Sequence, residues 1–292
     1  MIRPCPLCRG RGIRIRLFKG SIDLARCQQC RTEFLSPLPS EQELADEYAG
    51  YFRKRNPGFP HPKLEYFQDL YRRLALDLSN KAVLELGAGE GDSIQALRGL
   101  YPTAELTAVE ASQESPKMTH HCEWIALSAE DWLESGTQRR YSAILLFDVL
   151  EHFSQPSQLL NQLVSKHLEP GGWIVATFPN SGSLSRKLLG PFWFQYKLEH
   201  LTYPSRRGVQ ALAQNCGLET RHLRGHVKRL PWGYLAVVGA HFGPMLFRRL
   251  VRGMKKLLPS FVQKKSVALP LGELLWVAQR PYGDLDRNHA AK

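Results

Sequence analysis

The chain has 292 residues, 43% hydrophobic and 23% charged, which suits a soluble globular protein of one domain with appendages or of two domains. No apolar run reaches the ~18 residues of a spanning helix. Met1-Ile2-Arg3-Pro4-Cys5 has no hydrophobic signal core, so the expected location is the cytoplasm. The net charge of +12 invites nucleic acid or an anionic membrane, but it is unevenly spread. Residues 1–40 carry eight Lys and Arg against two acids, residues 41–219 carry 17 against 22, and residues 220–272 carry 11 against none.

Four of the six cysteines fall in the first 30 residues, as Cys5-Pro6-Leu7-Cys8 and Cys27-Gln28-Gln29-Cys30. Each pair forms a knuckle that presents two thiolates, and two knuckles close a tetrahedral site of the kind zinc favours. With four protein ligands such a zinc is structural. Two disulfides would use the same cysteines but do not suit a cytosolic chain. Ile13, Ile15 and Leu17 alternate along a hairpin with Lys19-Gly20 at its turn. Arg3, Arg9, Arg11, Arg14, Arg16, Arg26 and Arg31 either bind phosphate or form a solvated face. Cys122 and Cys216 read as core thiols.

Phe34–Ser40 is a proline-marked linker. Ser40 with Glu43 is a capping box opening a helix over about 41–50. A second helix is expected over about 63–78, with Tyr66, Leu70, Leu74 and Leu78 on one face.

Ala82–Leu86 reads as a buried strand running into Gly87-Ala88-Gly89-Glu90-Gly91 and a helix over about 92–100. A glycine turn there lets a ligand approach backbone N–H groups at a helix start. Glu105–Val109 is a second strand, and Glu110 at its end can accept from ribose hydroxyls. Strands follow at Trp124–Leu127, Ser142–Phe147 and Trp173–Phe178, with a helix over 156–168 before the last. This alternation predicts an α/β, doubly wound, mostly parallel seven-stranded sheet, with ligand at the carboxyl ends of the strands. An NAD-binding fold would want glycine at 92, where the chain has Asp92.

Glu85-Leu86-Gly87-Ala88-Gly89-Glu90-Gly91 resembles the first motif of class I S-adenosylmethionine-dependent methyltransferases. Phe147-Asp148-Val149-Leu150-Glu151-His152 is similar to the strand-four signature of the small-molecule branch that includes the ubiquinone methyltransferases. Leu168-Glu169-Pro170-Gly171-Gly172 resembles the turn before strand five. With the doubled cysteine pairs, Phe34-Leu35-Ser36-Pro37 and Tyr51-Phe52, the whole pattern over about 1–225 resembles a bacterial group of zinc-ribbon methyltransferases that often act on sugars, polysaccharide precursors or secondary metabolites. The resemblance implies that Glu85, Gly87, Gly89, Gly91, Glu110, Ser128, Ala129, Glu130 and Asp148 bind S-adenosylmethionine. It implies that Cys5, Cys8, Cys27 and Cys30 bind zinc.

Methyl transfer needs orientation of both reactants and, for a hydroxyl or an activated carbon, a base. His152 and His200 are the candidates, with Glu151 and Glu199 beside them; the alternatives are that His152 caps or packs at its loop and that His200 pins its own. His200 precedes a helix over about 205–216. No Asn-Pro-Pro-Tyr or Asp-Pro-Pro-Tyr follows strand four, which argues against an exocyclic base amine. The expected acceptor is a small molecule, sugar or lipid-linked compound, methylated at oxygen or carbon. An RNA methyltransferase and a non-catalytic zinc-bearing binding protein remain the alternatives.

A sixth strand is expected at about 218–224 and a last, antiparallel one at Glu273–Gln279 on the far edge of the sheet. Between them, Leu246, Leu250, Met254, Leu257 and Leu258 share one helical face opposite Arg248, Arg249, Arg252, Lys255 and Lys256. Such a helix at 245–265 either touches an anionic inner membrane as a peripheral contact or packs on the core. The expected organisation is a zinc ribbon at 1–40, a helical lid at 41–79, the methyltransferase core at 80–225, a basic helical insertion at 226–270, and a last strand with a tail at 271–292.

Overall fold

The computed structural model describes residues 2–19, 22–53, 63–111, 122–231 and 266–283. A seven-stranded sheet forms its centre: β4 (Ala82–Leu86), β5 (Glu105–Val109), β6 (Glu123–Ile125), β7 (Tyr141–Phe147), β8 (Leu168–Pro179), β10 (Glu219–Pro231) and β11 (Ser266–Gln279), in the order β10-β11-β8-β7-β4-β5-β6. The pairs β4–β5, β4–β7, β5–β6 and β7–β8 are parallel, and β11 runs antiparallel to both neighbours. The apolar runs of the central strands reflect burial on both faces. Leu84, Leu86, Ile144, Leu146, Ile174 and Ala176 point into one core, while Val83, Ala143, Leu145 and Val175 point into the other.

Helices α2 (Lys63–Leu74) and α3 (Asp92–Leu100) lie on one face. On the other are α4 (Ala129–Glu134), α5 (Pro156–Gln162) and α7 (Arg206–Asn215). The capping box opens α1 (Glu41–Arg53): the Ser40 N–H donates to Glu43 at 2.8 Å, and the Glu43 N–H donates to the Ser40 hydroxyl at 3.2 Å.

The second sheet is antiparallel and has the order β1-β2-β3-β9, with β1 at Gly12–Lys19, β2 at Ile22–Cys27, β3 at Glu33–Ser36 and β9 at Thr202–Tyr203. The first three strands belong to the cysteine segment. The fourth comes from much later in the chain, with Phe34 opposite Thr202 and Glu33 opposite Tyr203.

Several expectations are corrected. Residues 33–36 are a fully buried strand rather than linker, because β9 supplies a partner. The last strand is antiparallel but sits between β8 and β10, so the sixth strand takes the edge. Strand β8 starts at Leu168, ahead of the glycine pair; a pairing irregularity and a positive φ of 76° at Gly171 absorb the turn. Helix α2 stops at Leu74, where Ala75 adopts a φ of 51°, although Leu78 is still buried. Strand β10 runs through the expected boundary at 225/226. Residues 226–231 and 266–273 form a paired ribbon, His226 opposite Glu273 and Pro231 opposite Ser266, and not helix. The helix expected at 245–265 lies outside the described residues.

Candidate active site

The predicted cofactor residues follow strands β4, β5, β6 and β7, apart from Glu85, which lies within β4. Gly87, Gly89 and Gly91 follow β4 with φ values of 70°, 59° and 80°, the left-handed region that glycine enters without penalty. A Cβ on Gly87 would stand 2.7 Å from Val149 Cγ2, whereas one on Gly89 would meet nothing within 4 Å. The turn therefore packs against the β7 end on one side and leaves an open cradle on the other. Glu110 reaches into it and accepts from the Gly89 N–H at 2.8 Å.

Glu85 is buried at the end of β4, and burial pushes its carboxyl up to about 8, so it is protonated at neutral pH. Asp148 has a φ of 55°, uncommon outside glycine. Its backbone N–H donates to the Thr177 carbonyl at 3.0 Å, and the Thr177 hydroxyl donates to Asp148 Oδ1 at 3.0 Å. Ser128 spends its hydroxyl oxygen capping α4, accepting from the Asp131 N–H at 3.0 Å. Ala129 is partly buried and Glu130 is exposed.

His152 and His200 meet edge to face with ring centroids 4.9 Å apart. His200 is buried, and its Nδ1–H donates to the Gln195 carbonyl at 3.0 Å, leaving Nε2 with a lone pair. Burial lowers His152 to about 4, and burial together with His152 lowers His200 well below the usual range. Both rings are neutral at pH 7; each can accept a proton or a metal ion, although neither is a strong base in this environment. Ligand atoms of Glu151, His152 and His200 all lie within 4.8 Å of one another, a spacing that can hold a cation.

The four cysteines also converge. Cys5 Sγ is 3.6 Å from Cys30 Sγ, Cys8 Sγ is 3.5 Å from Cys27 Sγ, and all four lie within 4.8 Å of one another. The hydrogen bond from Cys5 holds the Cys30 thiol below its ordinary range, and the same bond pushes Cys5 up. Arg9 and Arg31 take φ values of 61° and 68° within the knuckles. This set suits one tetrahedral, thiolate-binding metal.

Several neighbours of the site carry no local sequence signal. Glu33 is buried under Arg26 at 2.7 Å, Arg186 at 2.5 Å and the Tyr196 hydroxyl at 2.6 Å. Tyr66 on α2 hydrogen-bonds His226 Nε2, and Gln195 Nε2 donates to Glu273 at 3.0 Å. Arg3 ties the cysteine segment to both histidine loops. Only Thr177 carried a signal, as a polar residue within an otherwise apolar strand.

A glycine turn bonded to the acid at the end of the next strand, at the carboxyl ends of a doubly wound sheet, suits a nucleoside-bearing cofactor. The methyltransferase-domain family matches residues 53–223, and the chain belongs to it. It is 25% identical over 134 residues to the mitochondrial ubiquinone biosynthesis O-methyltransferase of Candida albicans, across 42% of this chain and 40% of that protein. A Bacillus halodurans methyltransferase structure overlays with a TM-score of 0.52 at 14% identity, covering 74% of this chain and 99% of that one. The 1,6-didemethyltoxoflavin-N1-methyltransferase of Burkholderia thailandensis, solved with S-adenosylhomocysteine, overlays with a TM-score of 0.50 at 12% identity, covering 92% and 100%. At these identities the overlays establish the fold alone.

Proposed function

We propose that the chain methylates oxygen or carbon of a small-molecule, sugar or lipid-linked acceptor, with a structural zinc in its four-cysteine cluster. The observation that carries this reading is the division of the site. The Gly89–Glu110 cradle lies at the ends of β4 and β5, and the His152–His200 pair lies beyond Asp148 at the end of β7. Glu110 would accept from ribose hydroxyls, and the backbone of Gly87 and Gly89 would border the amino-acid end of the cofactor. When bound, S-adenosylmethionine supplies an electrophilic methyl group on a sulfonium. His152 or His200 would take the acceptor's proton at a ring nitrogen as the new bond forms.

The RNA reading loses support from the cysteine segment. Arg3 is turned inward, Arg14 pairs with Asp23 at 2.5 Å, Arg16 lies over Tyr196, and Arg26 pairs with Glu33. A lipid-linked acceptor and peripheral contact with anionic lipid fit the acid-free stretch 220–272. They also fit helix α6 (Leu184–Leu189), where Leu184 and Leu188 are 70% and 76% exposed. No helix among the described residues is long and apolar enough to cross a membrane.

The test is radiolabelled methyl transfer from S-adenosylmethionine into a metabolite and lipid extract, run beside total RNA. Label in small molecules or lipids is expected; label confined to RNA would overturn the reading. Elemental analysis should find one zinc per chain.

A further inference from the structure

We propose that Arg3 is a positioning residue for the acceptor-side histidines, and that the four-cysteine segment serves the reaction by holding Arg3 in place. This rests on the reading that His152 and His200 face the acceptor.

Arg3 lies two residues before Cys5, and Cys5 is fully buried. Its side chain reaches three separate segments. Nε donates to the Leu35 carbonyl at 2.8 Å, Nη1 to the Ser154 carbonyl at 2.8 Å, and Nη2 to the Leu201 carbonyl at 3.3 Å. The guanidinium lies 5.4 Å from the centre of the Phe34 ring, and the Arg3 N–H donates to the Ser36 hydroxyl at 2.9 Å. Ser154 is two residues after His152, and Leu201 is the residue after His200.

The two loops are joined to each other at the same place. The Leu201 N–H donates to the Glu151 carbonyl at 2.8 Å, and the Leu35 N–H donates to the Leu201 carbonyl at 3.0 Å. One planar fork thus satisfies carbonyls from the cysteine segment, the His152 loop and the His200 loop. A guanidinium has the fixed donor geometry for this; an ammonium offers a point charge in its stead.

The cysteine segment is in turn anchored to the catalytic helices. The Ser157 hydroxyl of α5 donates to the Pro6 carbonyl at 2.6 Å, and the Asn215 amide of α7 donates to the Leu7 carbonyl at 3.1 Å. The first knuckle therefore has a fixed place, and Arg3 leaves it pointing at the histidine loops.

Hydrogen–deuterium exchange on the full chain tests the proposal without an acceptor. Arg3→Ala should speed exchange about tenfold in peptides covering 148–154 and 195–203 and leave 84–100 unchanged. Histidine-labelled NMR spectra should show shifted His152 and His200 ring signals, with affinity for S-adenosylmethionine within about twofold of wild type. Arg3→Lys should recover part of both changes. Stripping metal from the wild-type chain with a chelator should reproduce the alanine pattern in the same two peptides. Unchanged loops and ring signals in Arg3→Ala would overturn the proposal. If the alanine variant does not fold, Arg3→Lys decides: changes confined to the two loops support it, and changes spread into 84–100 overturn it. Failure of the wild type to bind S-adenosylmethionine would strike the cofactor assignment and leave the exchange result standing.

Discussion

The backbone N–H of Gly89 donates to Glu110 Oε2 at 2.8 Å, so the glycine turn after β4 and the acid after β5 are one structural unit. Glu110 is thereby aimed before any ligand arrives. Removing it takes away a charge-assisted acceptor, which costs about 1.5–3 kcal/mol of interaction. Glu110→Ala is expected to weaken S-adenosylmethionine binding about ten- to a hundredfold by calorimetry. Unchanged affinity would refute the assignment.

The two glycines flanking Ala88 should respond differently to alanine. At Gly87 the new Cβ meets Val149 at 2.7 Å and the φ is 70°, so Gly87→Ala should lose about 1–3 kcal/mol of stability. At Gly89 nothing stands within 4 Å, so Gly89→Ala should lose about 1 kcal/mol of stability from its positive φ. Its methyl group fills the cradle, however, and the larger loss should be in cofactor affinity. Thermal melts and calorimetry on both variants would expose a reversed order.

Glu85 makes the free protein sensitive to alkali. Burial pushes its carboxyl up to about 8 in the folded protein, from about 4.5 in the unfolded chain. Between those values the unfolded chain releases a proton that the native state keeps. Stability from this group is therefore full below about pH 4.5 and falls until about pH 8, by a few kcal/mol. Glu85→Gln should flatten urea midpoints measured between pH 5.5 and 8.5. A slope identical to wild type would rule Glu85 out as the source.

Glu33 anchors the two halves of the chain. It is buried, and Arg26 of the cysteine segment and Arg186 of the catalytic half share its carboxylate. Glu33→Ala leaves two cations facing an uncharged interior and should destabilise the fold by about 3–5 kcal/mol. Adding Arg186→Met should recover part of that loss in denaturant titrations; strictly additive losses would refute the coupling.

The strands at 82–86 and 105–109 and the helix at 92–100 are legible in sequence because a doubly covered sheet demands unbroken apolar runs, and a glycine turn punctuates them. The capping box at Ser40 and Glu43 is legible for the same local reason. Strand β3 is hidden because its partner, Thr202-Tyr203, lies far along the chain and is only two residues long. The place of β11 is hidden too, since strand order has no local signature. His152 and His200 stand out as residue types, but not their contact. Arg3 is one of seven arginines among the first 31 residues, and all three acceptors of its guanidinium are backbone carbonyls, which leave no partner residue type to search for.

The pairing of β3 with β9 also orders events during synthesis. The cysteine segment leaves the ribosome before Thr202 and Tyr203 are made. Its sheet lacks its fourth strand, and Glu33 lacks Arg186 and Tyr196, until the chain has been made past residue 203. The nascent segment must meanwhile carry four thiols and a buried acid without their final neighbours. Until then the segment can pair only its own three strands, so its sheet and the burial of Glu33 are completed only after the later strand has been made.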